Sequence, residues 1–215
     1  MGLDDRDALA TLRAAFDPNT GSGELIHRFY TRWFAVDGEV RDLFPPDLSR
    51  QRTVFAEAMT WLFGELIAQR ADEPVAFLAQ LGRDHRKYGV RQRHYDSMQD
   101  ALLTTLRSHL IDRWDDRLAD ATHQAVTLIV GIMRGAADAE HGPPFVDGSV
   151  VEHIRATRDV SVIRLQLDEP LHFHAGQYVT VQVPQWPRRW RFLSPSIPAD
   201  RGGAIEFHVR SVAGG

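Results

Sequence analysis

The ten residues LIHRFYTRWF, numbered 25–34, concentrate large apolar side chains within a chain of 215 residues. These side chains recur at steps of three and four residues, which is the spacing of one face of an α-helix. Ser22 precedes the stretch and is suited to cap the N-terminus of the helix. The sequence therefore predicts a helix whose buried face is rich in aromatic rings: Phe29, Tyr30, Trp33 and Phe34.

Helical spacing continues on both sides of this stretch and then gives way to a different pattern. Phe44-Pro45-Pro46 interrupts it, because two successive prolines cannot continue a helix. Further helices are predicted over 5–16, from Ser49 to about 67, from about 74 to 85, over 96–111 and over 115–139. Beyond 141–144 the apolar residues alternate with a period of two, which indicates strands over 160–167, 178–183 and 205–209. We predict a mainly α domain over 1–142 and a β domain over 148–215.

The composition excludes several classes of protein. Lys and Arg total 25 against 29 Asp and Glu, a net charge of −4 that argues against a nucleic-acid binder. The absence of cysteine excludes disulfides, zinc–thiolate sites, iron–sulfur clusters and a cysteine nucleophile. No apolar run is long enough for a membrane span, and no secretory signal is visible. The expected location is the cytoplasm, and histidines, carboxylates or a macrocycle must hold any metal.

Four features of the α part occur in register: LIHRFYTRWF at 25–34, VRDLF at 40–44, DHRKYGV at 84–90, and Tyr95 ten residues beyond His85. Together they resemble the haem domain of flavohaemoglobins over about residues 5–140. The resemblance implies a globin fold that binds haem b. It implies that His85 ligates the iron, that Tyr30 lines the distal pocket and that Phe44 packs on the haem face. Tyr30 and Tyr95 are the predicted catalytic residues.

The residue types suit this resemblance. Haem needs a neutral imidazole on iron, whose other nitrogen donates to a fixed acceptor, and a distal hydroxyl is suited to hydrogen-bond dioxygen. Gln51 is a candidate second distal donor one turn before Phe55, and both are predicted to bind the cofactor. By spacing alone, a single histidine or tyrosine on an apolar helix is more often a core residue. The assignments of His85 and Tyr30 therefore depend on the resemblance.

Two positions of the α part depart from the flavohaemoglobin pattern. Asp84 stands where the family usually has a lysine before the proximal histidine. The family's glutamate on the last helix, which accepts from that histidine, falls at Ala139, flanked by Asp138 and Glu140. The sequence leaves open whether either acid takes the role. A negatively charged partner would make the imidazole a stronger donor to iron and favour oxygen activation over storage.

The β part contains AGQYVTVQVP at 175–184, RFLS at 191–194 and FHVRSVAGG at 207–215. These motifs resemble the start of the FAD-binding barrel of ferredoxin-reductase-like enzymes, which follows the globin in flavohaemoglobins. The resemblance implies a partial antiparallel β-barrel. It also implies flavin contacts from Gln177, Tyr178, Arg191 and Ser194, with Arg191 neutralising pyrophosphate charge. Leu193 replaces the tyrosine that stacks on the isoalloxazine ring in that family.

FAD is therefore expected to bind weakly or not at all. Leu193 offers no ring, and the sequence stops at Gly214-Gly215, where the family's phosphate-facing turn begins. One arginine–phosphate contact does not offset the cost of immobilising a dinucleotide. Residues 148–215 are either a fragment of a longer reductase or a degenerate tail, with an external or missing NAD(P)H reductase domain. A metal site at His172 and His174 is disfavoured because a third ligand is lacking.

The flavohaemoglobin resemblance implies dioxygen and nitric oxide as ligands. The corresponding activity is that of a nitric oxide dioxygenase, or a related haem oxidoreductase, fed with electrons through a flavin module. Two other classes stay open. One is an oxygen-binding or haem-based sensor globin whose β segment docks a partner and binds no flavin. The other is an electron-transfer module that uses peroxide or an organic donor, so the sequence alone leaves open whether the chain is an enzyme.

Overall fold

The computed structural model describes residues 3–212, and their side chains from residue 6 onwards. The chain divides into two compact units, Met1–His141 and Gly142–Gly215. Our proposed domain limits remain 1–142 and 148–215. None of the helices in the described part of the chain combines the length and the apolar character needed to cross a membrane.

The first unit is helical throughout. Its helices are α1 Leu3–Phe16, α2 Gly23–Val36, α3 Gly38–Arg41, α4 Ser49–Ile67, α5 Asp72–His85, α6 Gln92–His109 and α7 Asp116–Ala139. The predicted helices are confirmed, and the short α3 was not predicted. α6 begins four residues earlier than expected, at Gln92. The reason is a side-chain cap, in which the backbone N–H of Arg91 donates to Nδ1 of His94 at 3.1 Å.

Ser22 lies at the N-cap of α2, but its predicted capping hydrogen bond is absent. Its backbone is already helical, with φ −58° and ψ −12°, whereas a capping side chain normally belongs to an extended residue. Its carbonyl instead accepts from the N–H of Ile26 at 3.0 Å, and the residue is buried. Ser22 therefore begins the helix through its main chain.

The core of the helical unit is one continuous cluster. In it α1 packs against α4, α2 against α6, and α5 against α7. The largest side chains that are almost completely buried come from α1, α2, α4 and α6: Leu12, Phe16, Leu25, Ile26, Phe29, Tyr30, Phe63, Leu102 and Leu106. Burial of aliphatic and aromatic surface on this scale is the main source of stability for the unit.

Gly82 sets the distance between α5 and α7. A Cβ atom at this position would lie 2.0 Å from the carbonyl oxygen of Met133, far inside any permitted contact. The backbones of the two helices therefore approach more closely than any side chain at position 82 allows. Since α5 ends three residues later, at His85, the same contact fixes the end of the helix that carries this histidine.

The second unit consists of β1 Gly148–Arg155, β2 Val160–Leu167, β3 Val179–Val181, β4 Arg191–Leu193 and β5 Ala204–Arg210. The strands form a three-stranded sheet in the order β1-β2-β5 and a separate two-stranded sheet, β3-β4, and all pairs are antiparallel. The described residues therefore form antiparallel sheet segments and no closed barrel. The predicted turn at Ala213-Gly214-Gly215 lies outside the described residues.

Charged side chains tie the three strands of the larger sheet together. Arg164 on β2 lies opposite Glu152 on β1 and Glu206 on β5, and its guanidinium binds both carboxylates. Glu206 is buried and also accepts from the Ser196 hydroxyl at 2.8 Å. The hydrogen bond from Arg164, followed by that from Ser196, holds the pKa of Glu206 below its usual value. Glu206 is therefore buried as an anion with its charge compensated.

We predict that Gly82→Ala destabilises the helical unit. Its methyl group must displace the main chain of α7, and overpacking of this kind costs about 1–3 kcal/mol or more. Gly131→Ala on α7 is the matched control, because its Cβ meets nothing within 4 Å. The control should be neutral or stabilising by up to about 1 kcal/mol. Urea unfolding measures both, and equal midpoints for the two variants would refute the close-contact argument.

Candidate functional site

Tyr30 lies at the centre of an aromatic cluster formed by α2, α4 and the loop after α3. Its ring meets those of Phe44 and Phe55 edge-on, with centroids 5.7 and 6.0 Å apart. Further ring contacts join it to its helix neighbours Phe29, Trp33 and Phe34. Only 2% of Tyr30 is exposed. The structure thus brings together Tyr30, Phe44 and Phe55, which the sequence assigns to one pocket.

The Tyr30 hydroxyl is held in its protonated form. Burial raises the pKa of Tyr30 to about 12, and a hydrogen bond with the Gln51 side chain and the charge of Arg52 oppose that rise. Gln51 is placed by the start of α4, where Oδ1 of Asp47 accepts from the backbone N–H of Ser49 at 2.9 Å. At neutral pH the site therefore contains a hydroxyl donor beside an amide, on the side of the pocket predicted to be distal.

His85 is the last residue of α5, and most of its surface is buried. Its Nδ1 lies 2.6 Å from the carbonyl oxygen of Leu81, one turn earlier. Because a carbonyl only accepts, Nδ1 must carry the proton, which leaves the lone pair on Nε2. Burial is the main cause that lowers the pKa of His85. The geometry therefore provides a neutral imidazole with Nε2 available as a metal ligand.

The structure answers the question that the sequence left open about the partner of His85. Asp138 accepts from Nε2 of Gln92 at 2.6 Å, and Glu140 forms an ion pair with Arg83 at 3.8 Å. Neither acid takes the role, because the acceptor of the His85 proton is the main chain of Leu81. Sequence reasoning missed this acceptor because a backbone carbonyl leaves no side-chain signal. The only available clue was the position of His85 in the last turn of its helix.

Tyr95, the second predicted catalytic residue, is buried on α6 with 5% of its surface exposed. Its hydroxyl has no hydrogen-bond partner among the described residues. Burial, followed by the charge of Asp138, raises the pKa of Tyr95. The adjacent His94 is the next histidine along the chain that could ligate iron, and it is engaged in the cap of α6 through its Nδ1. His85 is therefore the better placed of the two histidines to bind iron.

The donor set fits haem. It contains one neutral imidazole with a free Nε2, one protonated hydroxyl, and apolar side chains that pack on the core yet stay partly accessible: Phe44, Phe55, Leu81, Val90 and Met98. A haem in a globin requires this combination of a nitrogen ligand, a distal donor and an apolar surround. Within residues 3–212 there is no group of three or more His, Asp or Glu that could hold a metal ion without a macrocycle.

The residues predicted to contact flavin lie on two faces of the small sheet. The rings of Tyr178 and Phe192 meet edge-on at 5.0 Å, and both are exposed. Since successive strand residues point to opposite faces, Arg191 and Leu193 lie on the other face from Phe192. Tyr178 therefore shares a face with Phe192 and not with Arg191.

The other polar residues of this region have local partners or lie in the open. The guanidinium of Arg191 lies 5.4 Å from the ring centroid of Trp186. Oε1 of Gln177 accepts from the backbone N–H of His174 at 2.7 Å, which organises the preceding loop. Ser194 is exposed directly after β4. Arg191 and Ser194 keep the chemistry that a phosphate and a flavin edge require, whereas Leu193 brings no aromatic ring to the face that carries Arg191.

Comparisons with known proteins agree with the division of the chain into a helical unit and a β unit. The Globin family model matches residues 27–133, and the model of the oxidoreductase FAD-binding domain matches residues 147–215. The "Flavohemoprotein" of Bacillus subtilis (strain 168) is 25% identical over 174 residues, which cover 73% of this chain and 42% of that protein. The "Phenol hydroxylase P5 protein" of Acinetobacter pittii (strain PHEA-2) is 39% identical over 87 residues, 37% of this chain and 24% of that protein.

The fold has a counterpart among solved structures. The crystal structure of flavohemoglobin from Malassezia yamatoensis, with bound FAD and heme, matches 100% of this chain and 58% of that one, with a TM-score of 0.71 and 14% identity. This chain spans less than half of the two curated relatives. The helical unit is a globin fold, followed by antiparallel sheet segments. The two family matches and their order show a globin domain followed by an oxidoreductase FAD-binding domain. This chain is therefore a flavohaemoglobin-like protein.

Proposed function

We propose that this chain is a haem oxidoreductase of the nitric oxide dioxygenase type. In this reaction dioxygen oxidises nitric oxide to nitrate in the globin domain, and electrons reach that domain through flavin. The observation that carries the proposal is the buried Tyr30, whose ring packs against Phe44 and Phe55 and whose hydroxyl has the Gln51 amide as a hydrogen-bond partner. Such donors stabilise negative charge that develops on a diatomic ligand.

Each residue of the site has a distinct task in this proposal. When bound, haem supplies an iron that takes up a diatomic ligand and exchanges electrons. Nε2 of His85 would ligate that iron, and the carbonyl of Leu81 fixes the orientation and tautomer of the ring. The Tyr30 hydroxyl would donate to the ligand on the other side. The rings of Phe44 and Phe55 pack against the Tyr30 ring and hold it in place.

The FAD-binding domain supports a route for electrons through flavin. Its family match and the flavohemoprotein relative place a globin and a reductase-type domain on one chain. Arg191 would contact the pyrophosphate and Ser194 the flavin edge. The nicotinamide-dependent reductase that reduces the flavin is part of the proposal as a partner or a further domain.

One observation favours a second candidate, an oxygen-binding or sensor globin. The proton acceptor of His85 is a neutral carbonyl and not a carboxylate, and a neutral partner leaves the imidazole a weaker donor to iron. Weaker donation favours reversible binding over activation. The test is steady-state consumption of nitric oxide by the haem-loaded protein, supplied with NADH and an external reductase. Sustained turnover to nitrate supports the dioxygenase, whereas a single turnover supports the oxygen-binding globin.

His85→Ala should abolish stoichiometric haem retention, because the variant lacks the nitrogen ligand that the site provides. His27→Ala is the matched control, since His27 lies exposed on α2. The Soret absorbance per mole of purified protein measures both. A His85→Ala protein with a native Soret band and native haem retention would show that another histidine is the ligand, with His94 the next candidate.

Tyr30→Phe should accelerate the release of dioxygen by about ten- to a hundredfold. This range corresponds to a lost hydrogen bond to a charged acceptor, worth about 1.5–3 kcal/mol. Stopped-flow measurement of the dissociation rate decides the point. Tyr178→Phe makes the same change in the β domain and should leave the rate as it is. An unchanged rate in Tyr30→Phe would assign Tyr30 to core packing alone.

We expect the chain to bind FAD weakly or not at all, because Leu193 cannot stack on the isoalloxazine ring. Leu193→Tyr should tighten binding by about two- to tenfold, since an aromatic contact is worth about 0.5–1.5 kcal/mol. Phe192→Tyr adds a hydroxyl on the opposite face of β4 and serves as the control. The measurement is quenching of flavin fluorescence during titration. Saturable one-to-one binding to the native chain at low micromolar FAD would contradict the expectation.

A further inference from the structure

A cavity of about 360 Å³ lies between α2, the loop after α3 and the first turn of α4. Tyr30 and Phe34 form part of its wall, and Arg41, Asp47 and Arg52 supply its charged groups. The cavity is therefore lined by Tyr30, the residue predicted to lie on the distal side of the candidate haem site. Pockets of a few hundred cubic ångströms with few, convergent polar groups are the usual form of small-molecule sites.

Arg52 has a donor without an acceptor. Its Nε is fully buried, and no hydrogen-bond partner for it exists among the described residues. A buried N–H of a charged group is costly when it is left unsatisfied, so a negatively charged group close to this guanidinium would be stabilised. Arg52 lines the cavity, so an anion bound there would lie beside its guanidinium group.

The second arginine is held rigidly by neutral groups. Arg41 donates to the carbonyl oxygens of Phe44, Pro45 and Pro46 at 3.2, 3.0 and 3.0 Å. Its guanidinium also lies 5.4 Å from the ring centroid of Phe34. These contacts fix its orientation without cancelling its positive charge.

One carboxylate, that of Asp47, lines the same cavity and interacts with the charge of Arg52. Oδ1 of Asp47 accepts from the N–H and the hydroxyl of Ser49 at 2.9 and 2.7 Å, which holds it at the start of α4. These hydrogen bonds hold the pKa of Asp47 below its usual value, so it is charged. With two guanidinium groups and one carboxylate, the lining of the cavity has a net positive charge.

We propose that this cavity binds a small planar oxyanion of the nitrate or carboxylate class, with Arg52 as its principal ligand. A guanidinium presents a fixed fork of N–H donors that matches two oxygens of such an anion. The choice of nitrate as the physiological occupant rests on the proposed function, because nitrate is the product of nitric oxide dioxygenation. Binding itself requires no turnover, so the site and the activity can be tested separately.

The test is calorimetric titration of sodium nitrate, and in parallel sodium acetate, into the ferric haem-loaded chain at constant chloride concentration. We expect saturable one-to-one binding of nitrate with an unchanged Soret band. Arg52→Gln should weaken binding at least about tenfold, and Arg52→Lys should have an intermediate effect because it keeps the charge and loses the fork. Arg50→Gln is the matched control, since Arg50 lies exposed two residues away on α4 and should leave the affinity unchanged.

Three results would overturn the proposal: no saturable heat with either anion, equal affinity in Arg52→Gln, or a Soret shift that follows the heat and places the anion on iron. Loss of haem from Arg52→Gln, with no anion binding to the native chain, would also overturn it by assigning Arg52 to a haem carboxylate. If Arg52→Gln does not fold, the native titration and Arg52→Lys still decide whether the site exists.

The two anions distinguish the occupant of the site. Acetate binding without nitrate binding supports the site for a carboxylate and removes nitrate as its occupant. Nitrate binding without nitric oxide turnover supports the site and removes the dioxygenase.

Discussion

The main-chain contact between Gly82 on α5 and Met133 on α7 is the constraint on which the geometry of the haem-binding side depends. This contact fixes the distance between α5 and α7. Helix α5 carries both His85 and Leu81, whose carbonyl oxygen accepts from the His85 ring. The tautomer of the imidazole thus follows from helix packing and needs no acidic residue. An isolated helix could present the same histidine, but only a helix fixed against a partner presents Nε2 in a constant direction.

The two sides of the candidate site obtain their chemistry in different ways. On the side of His85, burial keeps the imidazole neutral and a peptide carbonyl accepts its proton. On the side of Tyr30, burial keeps a hydroxyl protonated, while the charge of Arg52 and the amide of Gln51 act on the same oxygen. The charge of Arg52 therefore lies on the Tyr30 side, where a ligand that gains electron density would be stabilised.

The sequence predicted those parts of the molecule that depend on periodicity and on residue type. The apolar spacing identified the long helices, and Phe44 and Phe55, assigned to one pocket with Tyr30, both contact its ring. It could not predict the acceptor of His85, because every residue has a carbonyl and only the fold selects one. The four-residue α3 has too few residues to show a period. The arrangement of the strands in two sheets depends on long-range pairing, which alternation along one strand does not encode.

The ladder of Glu152, Arg164 and Glu206 has a consequence for how the larger sheet assembles. The side chains of a strand alternate between its two faces, so a shift of one residue between β2 and β5 would move Arg164 away from Glu206. The Glu206 carboxylate would then lose its guanidinium partner, and a carboxylate with little exposed surface is destabilising when it is left unpaired. The ion pairs therefore help to specify the register between the strands. Pairing of these charges therefore favours the observed alignment of β2 with β5 over alignments shifted by one residue.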